Sequence, residues 1–421
     1  MSASTKPPVY NLTVKDKFDF RKFLVQWEMI LIYLLVLINL VLMATKSNLY
    51  FAPGTIQSII QSGMDLSPLV LGMIFVLMIG DIDVSVASIM IVASMVTGLS
   101  MNAGLPVVLC VLLGVVFGGL CGAFNGFLVA YMKMPSVIVT ISTSMLFRGI
   151  VKIILDVNVL KNFPKFYVQL AWTNLLGIPV ALICFLLMAG VFVLILHKST
   201  FGRKLYFIGN NATCATYSGV SVERTKMAVF IVMGIMAGVT SIFFVGRMGG
   251  GVSSTMGTGY ELDAIAICVL GGISTNGGRG RVYGPVIATL IMTFLSYALG
   301  LMGVDANSRK IMIGFILIIA VLIPKLNQEL LETLKLKLLY ANNKNIQAVN
   351  LKAAEEVKSL TKLITETKKD TKLNETDKLD KINKYNDKIV TIKAKCKEQT
   401  ERLREETKTH RRKAAKAPMN N

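Results

Sequence analysis

Histidine is nearly missing. His197 and His410 are the only two in 421 residues, which excludes imidazole acid–base chemistry and histidine-built metal sites as organising features. Six cysteines, Cys110, Cys121, Cys184, Cys214, Cys268 and Cys396, show no C-x-x-C or ligand spacing. Most fall in apolar runs, where cysteine behaves as a small hydrophobe, so neither a disulfide framework nor a metal site is expected. The dipeptide Gly-Lys does not occur anywhere, which removes the lysine of a Walker A phosphate loop. Any ATP chemistry has to come from another chain, and no cofactor is expected here. With no H-E-x-x-H and no Ser/His/Asp set near a candidate membrane face, an enzyme is disfavoured. A cleavable leader is also lacking: the first apolar run follows about 28 mostly polar residues, and no small-residue cleavage site closes it.

What the chain has instead is apolar length. Fifty-three per cent of its residues are apolar and the mean hydropathy is +0.59. Apolar runs recur from about Trp27 to Pro324, and a membrane span needs roughly 20 such residues. The pattern predicts an all-α integral membrane protein of about ten segments, with broken or re-entrant pieces among them. Starts are expected near Met29, Ile56, Val84, Leu105, Pro135, Ile178, Thr225, Glu261, Val282 and Lys310. The segment from Ile56 is polar up to Pro68, and "ELDAIAICVLGGI" from Glu261 is too short to span. Both read as broken pieces, which persist only where protein or a water cavity shields the backbone.

Three regions follow: a cytoplasmic N-terminal segment (1–28), a membrane domain (29–324) and a basic cytoplasmic tail (325–421). From Lys325 onward 24 Lys/Arg stand against 14 Asp/Glu, an excess of ten within a chain of net charge +20. Loop charges set the orientation. With the N-terminus inside, inner connections before the tail carry thirteen Lys/Arg, among them Lys198, Arg203, Lys204, Arg224 and Lys226, against eight outside. Both termini are then cytoplasmic, in a multi-pass protein of the plasma or inner membrane.

"GVVFGGLCGAFNG" places Gly114, Gly118, Gly122 and Gly126 on one helical face. In lipid such a small-residue stripe lets a second helix approach backbone to backbone; lining of a pathway or a dimer seam is the other reading. In the tail, Ile382, Tyr385, Ile389, Ile392, Cys396, Gln399 and Leu403 keep 3-4 spacing, the pattern of a short coiled coil on a charged helical appendage. A basic tail beside a membrane is drawn to anionic lipid heads or RNA.

Two aspartates interrupt the most apolar stretch, in "GDIDVSVAS" (Gly80 to Ser88). These residues resemble the GGIDLSVGS signature of permease subunits of monosaccharide ABC importers, the ribose, galactose, xylose and rhamnose type. Three further stretches are similar to that family in its own order: "NGFLVAYMKMPSVIVTISTSMLFRG" from Asn125, "FGRKLYFIGNNATCATYSGVSVERTK" from Phe201, and "GTGYELDAIAICVLGGISTNGGRGRVYGP" from Gly257. The likeness runs from about Ile56 to Leu322. Asp81 and Ala87 stand where glycines are usual, and the tail is not part of the pattern.

The resemblance implies a pore-forming subunit paired with a second copy or a paralogue. An extracytoplasmic sugar-binding protein or lipoprotein would feed it, and an ABC ATPase would drive it. It also implies that Gly209, Asn210, Ala212, Ala215, Ser218, Gly219 and Val220 form the loop that docks on the ATPase.

Asp83 and Asp81 then have two compatible readings. Either caps the helix that follows, its carboxylate accepting first-turn N–H groups, or it faces the translocation path with Ser85, as intramembrane acids commonly do. Glu261 and Asp263 repeat the arrangement after Gly259. The spans hold no cluster of fixed charge of one sign, so a neutral polyol is the expected cargo, met by hydroxyls and amides such as Asn125, Thr140, Ser142 and Thr143. Nucleosides are the nearest alternative. An ion-coupled secondary transporter is the rival class, and the long polar inner loop from Lys198 to Arg224, superfluous in such a protein, argues against it.

Overall fold

The computed structural model describes residues 27–305 apart from 46, 157 and 162, the single residues 308, 311, 314, 315 and 318, and 344–369 and 374–416. The segment expected from Lys310, the expected boundary at 324/325 and residues 1–26 lie outside the described residues. The chain divides into two compact units, Met1–Val321 and Leu322–Asn421.

In the first unit α1 (Trp27–Thr45) is followed by α2 (Thr55–Gly63), a 3-10 turn (Met64–Leu66) and α3 (Ser67–Met78). Next come α4 (Val86–Asn102), α5 (Val107–Ala130), α6 (Ser136–Leu155) and the short α7 (Lys165–Trp172). A two-residue hairpin, β1 (Asn174–Leu175) with β2 (Ile178–Pro179), leads into α8 (Val180–Lys198). The polar inner loop holds α9 (Thr200–Asn210) and α10 (Ala212–Tyr217) before α11 (Val222–Arg247), α12 (Tyr260–Leu270) and α13 (Tyr283–Leu301). Among the described residues six stretches are helical, long and apolar enough to cross a membrane, and α1 and α4 are shorter apolar helices.

The segment from Ile56, expected to be a broken or re-entrant piece, is one of the six. It runs from Thr55 to Met78 as a single path, with the 3-10 turn absorbing its polar half before Pro68 starts α3. Pro is tolerated there because a first-turn residue needs no intrahelical donor. The short piece at Glu261 is α12, only 11 residues long.

α3 is apolar all round, and every one of its residues is buried, as a helix without a polar face requires. It ends in a left-handed glycine: Gly80 has φ +80°, its N–H donates to Leu77 O, and the Asp81 N–H donates to Val76 O. That pair of bonds is a Schellman closure, open to glycine at no Cβ cost.

The glycine stripe of α5 packs against α11. A Cβ on Gly118 would stand 2.6 Å from the Gly234 carbonyl oxygen, one on Gly122 would run into the Phe230 carbonyl, and one on Gly238 would lie 2.7 Å from the Val115 Cα. Gly114 instead faces Ala93 and Thr97 of α4. The stripe is therefore a helix–helix seam, which the dispersion of two closely spaced backbones holds where lipid offers no hydrophobic drive.

In the second unit α14 (Lys344–Lys369) and α15 (Glu375–Lys416) lie along one another. Asn350 Oδ1 accepts from Cys396 Sγ and Thr400 Oγ1, each at 3.4 Å. Ile382, Tyr385, Ile389, Ile392, Cys396 and Leu403 are half-buried as the heptad reading requires, but Gln399 is exposed and Thr400 is buried in its place. A straight helix drifts against a strict 3.5-residue repeat, and the seam slips by one position.

Gly122→Leu is expected to part α5 from α11 and to destabilise the protein by about 3 kcal/mol or more, the upper end of overpacking costs, because backbone rather than a flexible side chain is in the way. Gly190→Ala on α8, with nothing within 4 Å of the added methyl, is the matched control and should melt like the parent. Thermal melts of the two purified variants in detergent check this.

Candidate functional site

The break between α3 and α4 leaves Gly80 to Ser85 without helical hydrogen bonds, and neighbouring side chains supply the missing ones. Asp83 is fully buried, and its Oδ1 accepts the Ser85 N–H at 2.8 Å and the Ser85 hydroxyl at 2.6 Å. Asn125 of α5, also fully buried, donates from Nδ2 to Ser85 Oγ at 2.7 Å. From α6, Ser136 Oγ accepts the Ile82 N–H and Thr140 Oγ1 donates to the Ile82 carbonyl, both at 3.4 Å. The Ile82 backbone at the break is thus satisfied from α6, and the Ser85 side chain is held from α5; protein groups in place of water are what let a broken helix survive at membrane depth.

Asp83 does not cap α4 in the expected way. Ser85 holds the N-cap position and makes no side-chain capping bond; the carboxylate instead closes an Asx turn over Ser85, two residues on. Asp83 Oδ2 and Asn125 Oδ1 have no hydrogen-bond partner among the described residues. Two bare acceptors in one buried network concentrate unmet hydrogen-bonding capacity at the break.

Asp81 is neither cap nor free acid. Its Oδ2 pairs with Lys226 Nζ at 2.7 Å, joining the break to the first turns of α11. Sequence reading counted Lys226 only as a loop charge, and 145 residues of separation hide the pair. The same end of the bundle carries a backbone junction. Gly278 N–H donates to Met78 O at 2.9 Å, and a Cβ on Gly277 would stand 2.8 Å from the Gly80 nitrogen and 3.0 Å from the Gly209 Cα. Three of the quoted stretches therefore meet at Gly80, Gly209 and Gly277, where only glycine allows the approach.

That geometry corrects the expected docking loop in two places. Gly209 is wedged in the junction, where a Cβ would strike Met78 O and Gly278 N, and Ala215 is fully buried as the anchor of α10. Ala215 therefore offers no surface to a partner, and Gly209, half-buried, has its backbone taken up by the junction. Asn210, Ala212, Ser218 and Gly219 are exposed and Val220 is half-buried. Asn211 caps α10, its Oδ1 accepting the Cys214 N–H at 3.0 Å, and Gly219 (φ +79°) turns the chain into α11.

The remaining expected site residues are spread out. Thr143 is buried one turn along α6 and donates to the Thr140 carbonyl at 3.3 Å. Ser142 is exposed on the other side and donates to Ile138 O. Glu261 and Asp263 lie in the first turn of α12, where Glu261 Oε1 accepts the Gly259 N–H at 3.3 Å while Oε2 is buried with no hydrogen-bond partner among the described residues. They are not part of the break. Tyr260 beside them donates to Asp65 Oδ2 at 2.6 Å and accepts from Arg247 Nη2 at 2.6 Å, and Arg247 Nε sits 2.7 Å from the same carboxylate oxygen.

Lys226 and Arg247 are 21 residues apart on α11, which at about 1.5 Å per residue separates the two ion pairs by roughly 30 Å. The Asp65–Arg247–Tyr260 cluster escaped the sequence reading. Its signal was an acid inside an apolar segment, which demands a cation or donor partner somewhere.

A helical membrane component whose polar residues gather at a broken span, beside an inner loop held by glycine contacts, is built for transport rather than for chemistry. The model of the family described as branched-chain amino acid transport system / permease component matches residues 55–321, and the chain belongs to that family. It is 32% identical over 316 residues to the D-allose transport system permease protein AlsC of Escherichia coli (strain K12), covering 74% of this chain and 95% of that protein. It is 34% identical to the ribose import permease protein RbsC of Bacillus subtilis (strain 168), over 60% of this chain and 79% of that one. To the L-arabinose transport system permease protein AraH of E. coli (strain K12) the identity is 31%, over 75% and 95%. No solved structure matches.

Losing one partner of the Asp81–Lys226 pair is expected to cost about 1–2 kcal/mol, between the ≲ 1 kcal/mol of an exposed pair and the 3–5 of a fully buried one, because both side chains keep some solvent contact. Asp81→Asn should therefore lower the melting temperature, and Asp81→Asn with Lys226→Met should recover most of the loss. A double variant as unstable as the sum of the singles would remove the pair as the cause.

Proposed function

We propose that this chain is the membrane-spanning permease subunit of an ABC importer for a neutral monosaccharide, with a separate ATPase on the inner side and a binding protein outside. The observation that carries the reading is the buried Asp83–Ser85–Asn125 network at a helix break, in a chain whose relatives are named for D-allose, ribose and L-arabinose transport. The family's own description speaks of branched-chain amino acids, but those solutes carry fixed charges. The interior acids that meet a cation here, Asp81 and Asp65, are neutralised inside the protein. Hydroxyl-bearing neutral solutes fit that balance.

In this reading the chain crosses the membrane about ten times, with both termini and α9–α10 cytoplasmic, and acts with a second copy or a paralogue. The membrane domain takes up 29–324, between a short inner segment and a tail drawn by its charge excess to anionic lipid heads. The network at the break, with Thr140 and Thr143 behind it, borders the path when the inner end opens. The α12 acids Glu261 and Asp263 serve the opposite end of α11. The exposed Asn210, Ala212, Ser218 and Gly219 meet the ATPase.

Reconstituted with its ATPase and binding protein, the chain is expected to drive ATP-dependent uptake of at least one of D-allose, D-ribose and L-arabinose. Asp83→Asn keeps an acceptor for the Ser85 groups and removes the charge. It should cut uptake about tenfold or more while the amount of assembled complex changes little. Normal uptake by Asp83→Asn would reduce Asp83 to its turn-closing bonds.

Ser218→Trp tests the inner face separately. Ser218 is exposed and has no neighbour that folding depends on, so the variant should assemble and melt like the parent while ATP hydrolysis proceeds without uptake. Undiminished uptake would move the ATPase contact elsewhere.

A further inference from the structure

A groove of about 620 Å³ opens at the same end of the bundle as the break, between α10, the α5–α6 turn and the foot of α11. Its size lies within the roughly 300–1,000 Å³ of small-molecule sites, and like them it has mainly apolar walls with a few convergent polar groups. Val129, Ala130, Pro135 and Val222 form the walls, and the floor is the Asp81–Lys226 pair with Ser136. From α10, Thr213 lines the groove, and Thr216 Oγ1, which donates to Ala212 O at 3.0 Å, keeps its lone pairs to accept; Tyr217, 89% exposed, stands at the rim. Lys133, also at the rim, holds a left-handed φ of +56°, a backbone state that a lysine rarely adopts and that gathers at ligand clamps.

We infer that this groove is a second, inner-facing site for the imported sugar, and that the sugar bound there slows its own import. The inference rests on the importer reading above. Charge selects the ligand class. Lys133 and Lys226 are balanced by Asp81 and Glu223, so the groove has no net field for an anion or a cation. What it offers is two carboxylates, two ammonium groups and the hydroxyls of Ser136, Thr213, Thr216 and Tyr217, the complement of a polyol, with an aromatic face for the C–H side of a sugar ring. Position gives the effect. One wall is α10, the other is tied to the break through Asp81, Ser136 and Ile82, and these elements have to shift relative to each other when the inner end opens. A ligand bridging them binds one arrangement better than the other and holds it, by as much as its differential affinity.

The test uses proteoliposomes of the full permease with its ATPase and binding protein, with D-allose, D-ribose and L-arabinose as probes. Millimolar sugar on the ATPase side is expected to lower binding-protein-stimulated ATP hydrolysis about threefold or more, for a sugar that is also taken up. Thr213→Val removes one hydroxyl without changing volume and should raise the half-inhibiting concentration about fivefold, the value of one neutral hydrogen bond. Thr216→Trp fills the groove and should abolish the inhibition. Saturation-transfer NMR on the complex without binding protein should show ring-proton contacts for the parent and none for Thr216→Trp.

Uptake of a probe without any inhibition, or inhibition untouched by both variants, would overturn the inner site and leave the importer reading standing. Inhibition by ribose 5-phosphate tenfold stronger than by D-ribose would overturn the neutral class of ligand. If none of the three sugars is taken up, the importer reading falls and the inner site falls with it.

Discussion

The contact on which the rest of the fold depends is the approach of α5 to α11 through Gly118, Gly122, Gly234 and Gly238. In water, burial of apolar surface would hold two such helices together; in lipid the tails are as apolar as the helices, and only close packing and hydrogen bonds favour the pair. Removing four Cβ atoms lets the backbones approach and brings the maximum number of atoms into dispersion range. The consequence reaches beyond the seam. α11 carries Lys226 near one end and Arg247 at the other, and α5 carries Asn125 in the last two turns. With the seam closed, Asn125 reaches Ser85, Lys226 reaches Asp81 and Arg247 reaches Asp65.

The inner end is organised by backbone rather than by side chains. Gly80, Gly209 and Gly277 belong to a helix break, to the last turn of α9 and to the loop after α12, and they meet with carbonyl and amide groups in direct contact. Such a junction has little compliance. A side chain yields by changing rotamer, whereas three backbones in contact move together or separate. Displacement of α9 is therefore delivered to the end of α3, and Asp81–Lys226 delivers displacement of the α11 foot to the same residues.

Much of this was legible in the sequence wherever the signal was local. The α5 stripe, the break at Gly80 to Ser85 and the short piece at Glu261 each follow from residues within a turn or two of each other. Asn125 was named as a polar group near the path, and it is the partner of Ser85. What stayed hidden were pairings set by the tertiary approach of distant segments. Asp81 with Lys226, and Asp65 with Arg247 and Tyr260, become neighbours only when α11 packs against α3 and the 3-10 turn before it. The misplaced residues have the same origin. Gly209 and Ala215 look like a solvent-facing loop because small residues carry no sign of burial, and the contact with Gly278 and Met78 shows why residue 209 is glycine.

Charge inside the membrane domain is the argument that ties structure to cargo. An acid in a low-dielectric interior is stable when a cation or several donors meet it, and Asp65 and Asp81 have both a cation and a geometry that holds it. A pathway built around such neutralised pairs exerts no net pull on an ion and no net repulsion on a neutral molecule. Discrimination then falls to hydrogen bonds, in which a solute with many hydroxyls replaces water at each step at nearly equal free energy. Asp83 stands apart from this pattern. Its Oδ1 accepts two bonds from Ser85, its Oδ2 has no hydrogen-bond partner among the described residues, and it occupies the point where α3 stops and α4 has not begun. In the importer reading proposed above, a small backbone rotation at the break would turn this bare acceptor toward the path, where a passing hydroxyl would meet it.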